Sequence, residues 1–166
     1  MVILEGCDGS GKTTLANQIA KHYDTKPIHF GGPADEKELK ERLKSMKYGR
    51  LYDRCPVISE IVYGGTIRKS PKFSLEDLNE FLKRNQPLII YCNPGLGTLL
   101  TNLHEGRPEE DPKHISKVNE NIFKLCQAYE YLMIQLPVIK WDFRNHSTDY
   151  VNVVMQICKF YLGERQ

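Results

Sequence analysis

Residues 6 to 13 read Gly-Cys-Asp-Gly-Ser-Gly-Lys-Thr, which matches the pattern G-x-x-x-x-G-K-[ST] at every position. A short apolar run at residues 2 to 4 precedes this segment, and a helical pattern at residues 14 to 23 follows it, so the sequence predicts a strand, a loop and a helix in succession. The glycines allow such a loop to turn its N–H groups inward around a phosphate. In this pattern Lys12 reaches the β- and γ-phosphates and the Thr13 hydroxyl coordinates Mg²⁺.

The octapeptide therefore predicts a nucleoside triphosphate site at the N-terminal end of a helix, where the helix dipole favours an anion. An ordinary glycine-rich turn would leave Lys12 and Thr13 unexplained. The residues expected around the phosphates are Cys7, Asp8, Gly9, Ser10, Gly11, Lys12, Thr13 and Thr14.

Strand-like and helix-like segments alternate along the rest of the chain, which predicts an α/β fold with a parallel sheet. We expect five strands, at about residues 1–5, 27–30, 50–52, 87–92 and 138–142. The expected helices lie at about 12–23, 36–46, 57–64, 74–84, from a turn at 93–95 to 104, at 113–135 and from 147 or 148 to 162. In such a fold the loops at the carboxyl ends of the strands form the active site.

Length and composition limit the classes of protein that the chain fits. Its 166 residues predict one domain over residues 1–166, and a net charge of +2 does not indicate stable binding to nucleic acid. No apolar run is long enough for a membrane span. The five cysteines are odd in number and form no C-x-x-C pair, and no leader pattern precedes the first strand, so we expect reduced thiols in a cytoplasmic protein. The sequence leaves a homodimer open.

A second motif follows the third predicted strand. Residues 52 to 63 read Tyr-Asp-Arg-Cys-Pro-Val-Ile-Ser-Glu-Ile-Val-Tyr. Together with residues 4 to 14, this segment resembles the thymidylate kinase-like branch of P-loop nucleotide kinases, in which E-G-x-D-G-S-G-K-T-T is followed by D-R-[aromatic]-x-x-S-x-x-x-Y. The resemblance implies a three-layer P-loop kinase sandwich with a short lid at about residues 105–113, ATP as phosphate donor and Mg²⁺ as cofactor.

The resemblance also implies roles for individual residues. Asp8 would meet the 3′-hydroxyl of a deoxyribose on the acceptor, and Tyr63 would crowd the sugar at C2′. Arg54 would hold the acceptor phosphate, and Asp53 would act near Mg²⁺ and the acceptor. Arg107 would close over the triphosphate from the lid.

Elementary chemistry agrees with these roles. Phosphoryl transfer needs two substrates held in line and the charge on the moving group neutralised. Arginine suits that task because its planar fork binds phosphate oxygens two at a time. The expected catalytic groups are Lys12, Asp53, Arg54 and Arg107, and Arg42 or Arg68 would add a further cation.

The chain departs from the family pattern at several points that bear on the acceptor. Ser59 lies six residues after Asp53 where the family usually has five, and the segment 30–33 lacks the arginine that often follows the second strand. Glu60 stands near the expected base, where an ionised carboxylate accepts hydrogen bonds from guanine, cytosine or the N3–H of thymine. The residues expected to bind the acceptor are Asp8, Asp53, Arg54, Ser59, Glu60 and Tyr63, and those expected to bind the metal are Thr13 and Asp53.

For the other polar and aromatic residues, the sequence does not point to a role in binding or catalysis as specifically. Arg144, after the fifth strand, either lies against the adenine or is an ordinary exposed arginine. Tyr129 and Tyr131 fit packing better than ligand binding. No pair of histidines has metal-ligand spacing, and we predict no catalysis from His29, His104, His114 or His146.

The leading interpretation is a deoxynucleoside monophosphate kinase that converts ATP and a dNMP to ADP and a dNDP, with dTMP or dGMP as acceptor. A deoxynucleoside kinase is the nearest alternative, although those enzymes usually place Glu before the Arg and lack a residue like Asp8. A kinase acting on a modified base in DNA is a third reading. A GTP-binding switch would need N-K-x-D and a D-x-x-G after a later strand, and a DNA-dependent ATPase would need paired acids after strand four; neither signal is present.

Overall fold

Five parallel strands form one sheet, as the sequence predicted, and their order is β2-β3-β1-β4-β5. The computed structural model describes residues 1–32, 34–104 and 112–163. The strands are β1 (Val2–Glu5), β2 (Ile28–His29), β3 (Leu51–Asp53), β4 (Leu88–Cys92) and β5 (Val138–Trp141). The order reverses at β1, and such a switch point is where α/β sheets bind ligands.

Helices cover both faces of the sheet, which confirms the three-layer arrangement. The helices are α1 (Lys12–His22), α2 (Glu36–Ser45), α3 (Pro56–Ser59), a π-helix (Glu60–Arg68), α4 (Leu75–Asn85), α5 (Leu96–His104), α6 (Pro112–Met133) and α7 (Thr148–Leu162). Val2 and Leu4 pack on one face with α1 and α7, whereas Ile3 packs on the other with the remaining helices. This alternation follows from the period of two along a strand.

Local signals explain where several helices begin. Asp35 caps α2, Ser147 caps α7, and Ser74 with Asp77 forms a complete capping box at α4. The structure differs from the single helix predicted at 57–64. Here α3 ends at Ser59, and the chain continues as a π-helix of nine residues. π-Helical turns are rare in proteins, and those that occur often lie at functional sites.

Parallel pairing fixes which residues meet at the carboxyl edge of the sheet. Leu4 lies opposite Asp53, and His29 lies opposite the same Asp53 from the other side. The loop after β1 therefore begins beside the end of β3.

Most of the expected lid, including Arg107, lies outside the described residues. Among the described residues, none of the helices has the length and apolar character needed to cross a membrane.

Candidate active site

The loop between β1 and α1 has the backbone of a phosphate-binding loop. Gly9 and Gly11 have φ angles of 80° and 81°, a region that favours glycine. Lys12 is buried, and its ammonium donates to the Cys7 carbonyl at 2.7 Å and to the Ser10 hydroxyl at 3.4 Å. Burial, followed by the charge of Arg54, lowers the pKa of Lys12. The loop thus holds its lysine at the N-terminus of α1.

The two sides of this loop have different surroundings. Thr14 is exposed and, with Thr13, lines the cavity described below. The Cys7 side chain points away from solvent, with its sulfur 3.6 Å from the sulfur of Cys126 on α6. That contact and burial raise the pKa of the Cys7 thiol, so the thiol stays protonated. Cys7 therefore offers the loop its backbone rather than its side chain.

Thr13, Asp53 and His29 form a polar group at the edge of the sheet. The Thr13 hydroxyl donates to Asp53 Oδ2 at 2.7 Å, and His29 Nδ1 lies 3.1 Å from the same oxygen. Burial opposes ionisation of Asp53, but the contacts with His29, Lys12 and Thr13 hold its pKa below the ordinary value. Asp53 is therefore a carboxylate.

The same group fits a magnesium ion. Asp53 Oδ1 is buried, and no hydrogen-bond partner reaches it from the residues that the structure describes. A buried carboxylate oxygen without a donor needs another partner. Carboxylate and hydroxyl oxygens are the ligands that Mg²⁺ prefers, together with substrate phosphates and water.

Asp8, Arg54 and Tyr63 form a second cluster on the other side of the loop. Arg54 Nη2 forms an ion pair with Asp8 Oδ1, and the Tyr63 hydroxyl donates to Asp8 Oδ2 at 3.1 Å. The Arg54 guanidinium lies over the Tyr63 ring, 5.1 Å from its centroid. Burial raises the pKa of the Tyr63 phenol, which keeps its proton for Asp8. The sequence predicted all three residues for the acceptor site, and the fold brings them together.

Arg54 sits on an unusual backbone. Its φ is 85°, in the left-handed region that residues with a Cβ rarely adopt. Its N–H still donates to Leu4 O at 3.0 Å, so the turn begins in register with β1. Backbone outliers of this kind cluster at functional sites.

Glu5 anchors that turn from beneath. The carboxylate is fully buried and accepts hydrogen bonds from the Cys55 N–H at 2.5 Å, the Tyr129 hydroxyl at 2.9 Å and the Ser59 hydroxyl at 3.2 Å. Burial raises the pKa of Glu5, against the opposing charge of Arg54. Glu5 therefore ties β1 to α3 and α6, which fixes where Arg54 emerges. The expected packing role of Tyr129 is confirmed, and Tyr131 is exposed.

Ser59 and Glu60 lie in the site but already have partners. Ser59 lines the cavity while its hydroxyl donates to Glu5. Glu60 is buried, and its carboxylate is held by Arg68 and by the N–H of Lys72.

A cavity of about 980 Å³ opens between the phosphate-binding loop, β2, the π-helix and α6. Its lining is basic at several points, which suits an anionic ligand. The residues that line it are Asp8, Gly11, Lys12, Thr13, Thr14, His29, Phe30, Gly31, Gly32, Leu39, Arg42, Arg54, Pro56, Ser59, Glu60, Tyr63, Ile67, Arg68, Lys113 and Lys117.

Arg144 does not line this cavity. It forms an ion pair with Asp142 at 2.8 Å and donates to the Thr98 hydroxyl at 2.7 Å. Its neighbour Phe143 packs against the loop: a Cβ added at Gly11 would lie 3.1 Å from the Phe143 ring. The expected contact of Arg144 with adenine remains a prediction.

Sequence reasoning missed three residues of the site. His29 was set aside because it has no metal-ligand spacing, yet strand register places it beside Asp53. Glu5 stood in the quoted motif without a role. Asn102 on α5 donates to the Gly9 carbonyl at 2.6 Å, and its position follows from helix packing that no local pattern encodes.

Known proteins resemble this chain in structure. No protein-family model and no curated protein matches its sequence. The YorR protein of Bacillus subtilis, solved with phosphorylated GDP, superimposes with a TM-score of 0.68 at 17% identity over 99% of both chains. Deoxyadenosine kinase from M. mycoides, solved with the products dCMP and dCDP, gives a TM-score of 0.62 at 15% identity over 96% of this chain and 98% of that one. At these identities the likeness shows the fold alone, which is the α/β fold of P-loop kinases.

Proposed function

We propose that the protein is an ATP-dependent kinase that phosphorylates a 2′-deoxynucleoside 5′-monophosphate. The observation that carries this proposal is the cluster of Asp8, Arg54 and Tyr63 in the same cavity as Lys12 and Thr13. One cavity thus joins a phosphate-binding loop to a second cation flanked by a carboxylate and an aromatic ring. Two phosphate sites side by side are what phosphoryl transfer between nucleotides requires.

The donor side follows from the loop. Its backbone and Lys12 would surround the ATP phosphates, and moving Lys12 from the Cys7 carbonyl to a phosphate oxygen exchanges one charge-assisted hydrogen bond for a stronger one. Thr13 and Asp53 would hold Mg²⁺, which neutralises charge on the phosphates when bound.

The acceptor side follows from the cluster. Arg54 is suited to the acceptor phosphate because its fork matches phosphate oxygens. The Tyr63 ring would fill the space beside C2′, and Asp8 would accept a hydrogen bond from the 3′-hydroxyl. We infer dTMP or dGMP as the preferred acceptor.

A deoxynucleoside kinase is the second candidate. The observation that favours it is the position of His29 at the end of β2, where its ring nitrogen contacts Asp53. An imidazole oriented by a carboxylate can take a proton from a hydroxyl acceptor, which a monophosphate acceptor does not need. A solved structure with a related fold is a deoxyadenosine kinase.

One experiment separates these candidates. The purified protein is incubated with ATP and Mg²⁺ and with each of the four dNMPs, the four deoxynucleosides or a DNA oligonucleotide, and products are resolved by chromatography. We expect diphosphates from one or two dNMPs. Lys12→Ala is the control and should lower turnover on the order of a thousandfold, because a preorganised charge at the transferred phosphoryl is removed. Phosphate on a deoxynucleoside or on the oligonucleotide alone would contradict the proposal.

A further inference from the structure

Glu60 and Arg68 form a charge pair in the cavity that lies apart from the Asp8–Arg54 pair. Glu60 is only 5% exposed, and its Oε2 accepts from Arg68 Nη2. Its Oε1 accepts from the N–H of Lys72 at 3.2 Å. Both carboxylate oxygens thus receive donors from the protein, and Glu60 holds Arg68 in place.

The chain around this pair is shaped to keep it in place. Glu60 and Arg68 are the two ends of the π-helix. Gly64, midway between them, leaves room for the carboxylate: a Cβ there would lie 2.6 Å from Glu60 Oε1 and 2.9 Å from Pro71 Cα. The N–H of Ser70 bonds to the Gly64 carbonyl at 3.1 Å and folds the chain back over the pair. The arrangement is thus a property of the whole segment.

Arg68 has donors to spare. Its side chain is 37% exposed and lines the cavity, and Nη2 makes the contact with Glu60. A guanidinium carries five N–H donors and no acceptor, so the remaining edge presents donors only. Pairing with a buried carboxylate orients that edge. A ligand group facing it must therefore offer acceptors.

We propose that Arg68, oriented by Glu60, selects the acceptor base, and that it favours bases with a carbonyl oxygen where adenine and cytosine carry an amino group. This inference rests on the proposed function, since it concerns the acceptor of that site. Guanine offers O6 beside N7, the pair that arginine binds with two hydrogen bonds, and thymine offers O4. Adenine and cytosine place an amino donor at that point, and two donors facing each other leave both unpaired.

The placement of charge divides the cavity. Arg54 and Lys12 flank the phosphate-binding loop, so the phosphates already have their cations there. The cavity that Arg68 lines also has Ile67, Leu39 and Phe30 in its walls, apolar side chains that suit the faces of a base. Arg68 is therefore a specificity residue, and Glu60 is a positioning residue.

Matched acceptors test this inference. The dGMP analogue with 2-aminopurine lacks O6 but keeps the 2-amino group, and 5-methyl-dCMP differs from dTMP in having an amino group in place of O4. We expect the wild-type protein to favour each oxo base over its partner in kcat/KM, and Arg68→Gln to reduce that ratio by at least about tenfold. Glu60→Gln should reduce it as well while the KM for ATP is unchanged. Arg84→Gln, an exposed arginine on α4, is the matched control.

The outcomes separate this inference from the proposed function. An unchanged ratio of kcat/KM values in Arg68→Gln would overturn the inference. If both members of a pair lose activity equally, the ratio is unchanged and Arg68 instead contacts the sugar or phosphate. Equilibrium binding of the same pairs, measured by calorimetry, tests base selection without turnover. Selective binding with no phosphorylation of any dNMP would support Arg68 as the base-reading residue and contradict the kinase assignment.

Discussion

Arg54 combines three features at one residue: a left-handed backbone, an ion pair with Asp8 and a place over the Tyr63 ring. The backbone strain is supported by neighbours, because Leu4 O accepts the Arg54 N–H and Glu5 accepts that of Cys55. Such strain costs about 1–3 kcal/mol and persists where the surroundings determine it. The guanidinium therefore occupies one defined position, which an acceptor phosphate can meet without reorganisation.

Replacing Arg54 tests its assignment to the acceptor. Arg54→Ala should raise the KM of the dNMP while leaving that of ATP nearly unchanged, because only the acceptor phosphate loses its cation. A hydrogen bond to a charged group contributes about 1.5–3 kcal/mol, which corresponds to roughly 10- to 150-fold. Initial rates with each substrate varied separately provide the measurement, with Arg50→Ala, exposed before β3, as control. A loss of ATP affinity with an unmoved acceptor KM would place Arg54 on the donor.

Tyr63 is expected to exclude ribose through its ring rather than its hydroxyl. Tyr63→Leu should lower the preference for dNMP over the matching NMP by about tenfold or more, since a 2′-hydroxyl buried without a partner costs about 1–3 kcal/mol. Tyr63→Phe keeps the ring, loses only the bond to Asp8 and should keep the preference. Competition between the two nucleotides measures the ratio. Loss of the preference in the Phe variant would show that the hydroxyl network, and not the ring, discriminates.

At the scale of elements, the buried carboxylate of Glu5 joins β1, the turn at Arg54, α3 and α6. Glu5 ends β1, its oxygens receive donors from the start of α3 and from Tyr129 on α6, and the π-helix continues directly from α3. An interior carboxylate of this kind is costly unless it is fully hydrogen-bonded. The network therefore couples the geometry of the proposed acceptor site to the packing of three elements.

The pH dependence of stability tests the state of Glu5. Because burial raises its pKa in the folded protein, the native state holds the proton more tightly than the unfolded chain does. The free energy of unfolding should then fall, relative to that of Glu5→Gln, as pH rises above the unfolded pKa of about 4.3, at up to about 1.4 kcal/mol per pH unit. Urea unfolding at pH 4 to 8 gives the comparison, and the exposed Glu80→Gln is the control. If the difference in unfolding free energy between the wild type and Glu5→Gln stays constant with pH, the pKa of Glu5 is not raised.

Much of this arrangement follows from local sequence. The five strands, the capping box at Ser74 and the loop at residues 6 to 13 each have a pattern of their own. The π-helix does not, since residues 57 to 64 read as an ordinary helix, and the close approach of Gly64 to Pro71 involves chain beyond that helix. The pairing of His29 with Asp53 depends on strand register, which sequence spacing alone does not define.

At the scale of the whole molecule, the parallel sheet brings distant residues to one edge. Lys12, Asp53 and Tyr63 come from three segments and meet there because β1 and β3 are neighbours with their carboxyl ends aligned. The fold was predictable because alternating strands and helices after such a loop have few arrangements. The ion pair of Glu60 with Arg68 was not, since it depends on side-chain geometry.

The central claim is that the acceptor already carries a phosphate. The most direct test is ³¹P NMR of one mixture that contains ATP, Mg²⁺, the protein and equal amounts of a dNMP and its deoxynucleoside, run for the thymine and guanine pairs. We expect new diphosphate doublets from the dNDP and ADP while the singlet of the dNMP shrinks. A growing monophosphate singlet while the added dNMP stays intact would contradict the account and identify a deoxynucleoside kinase.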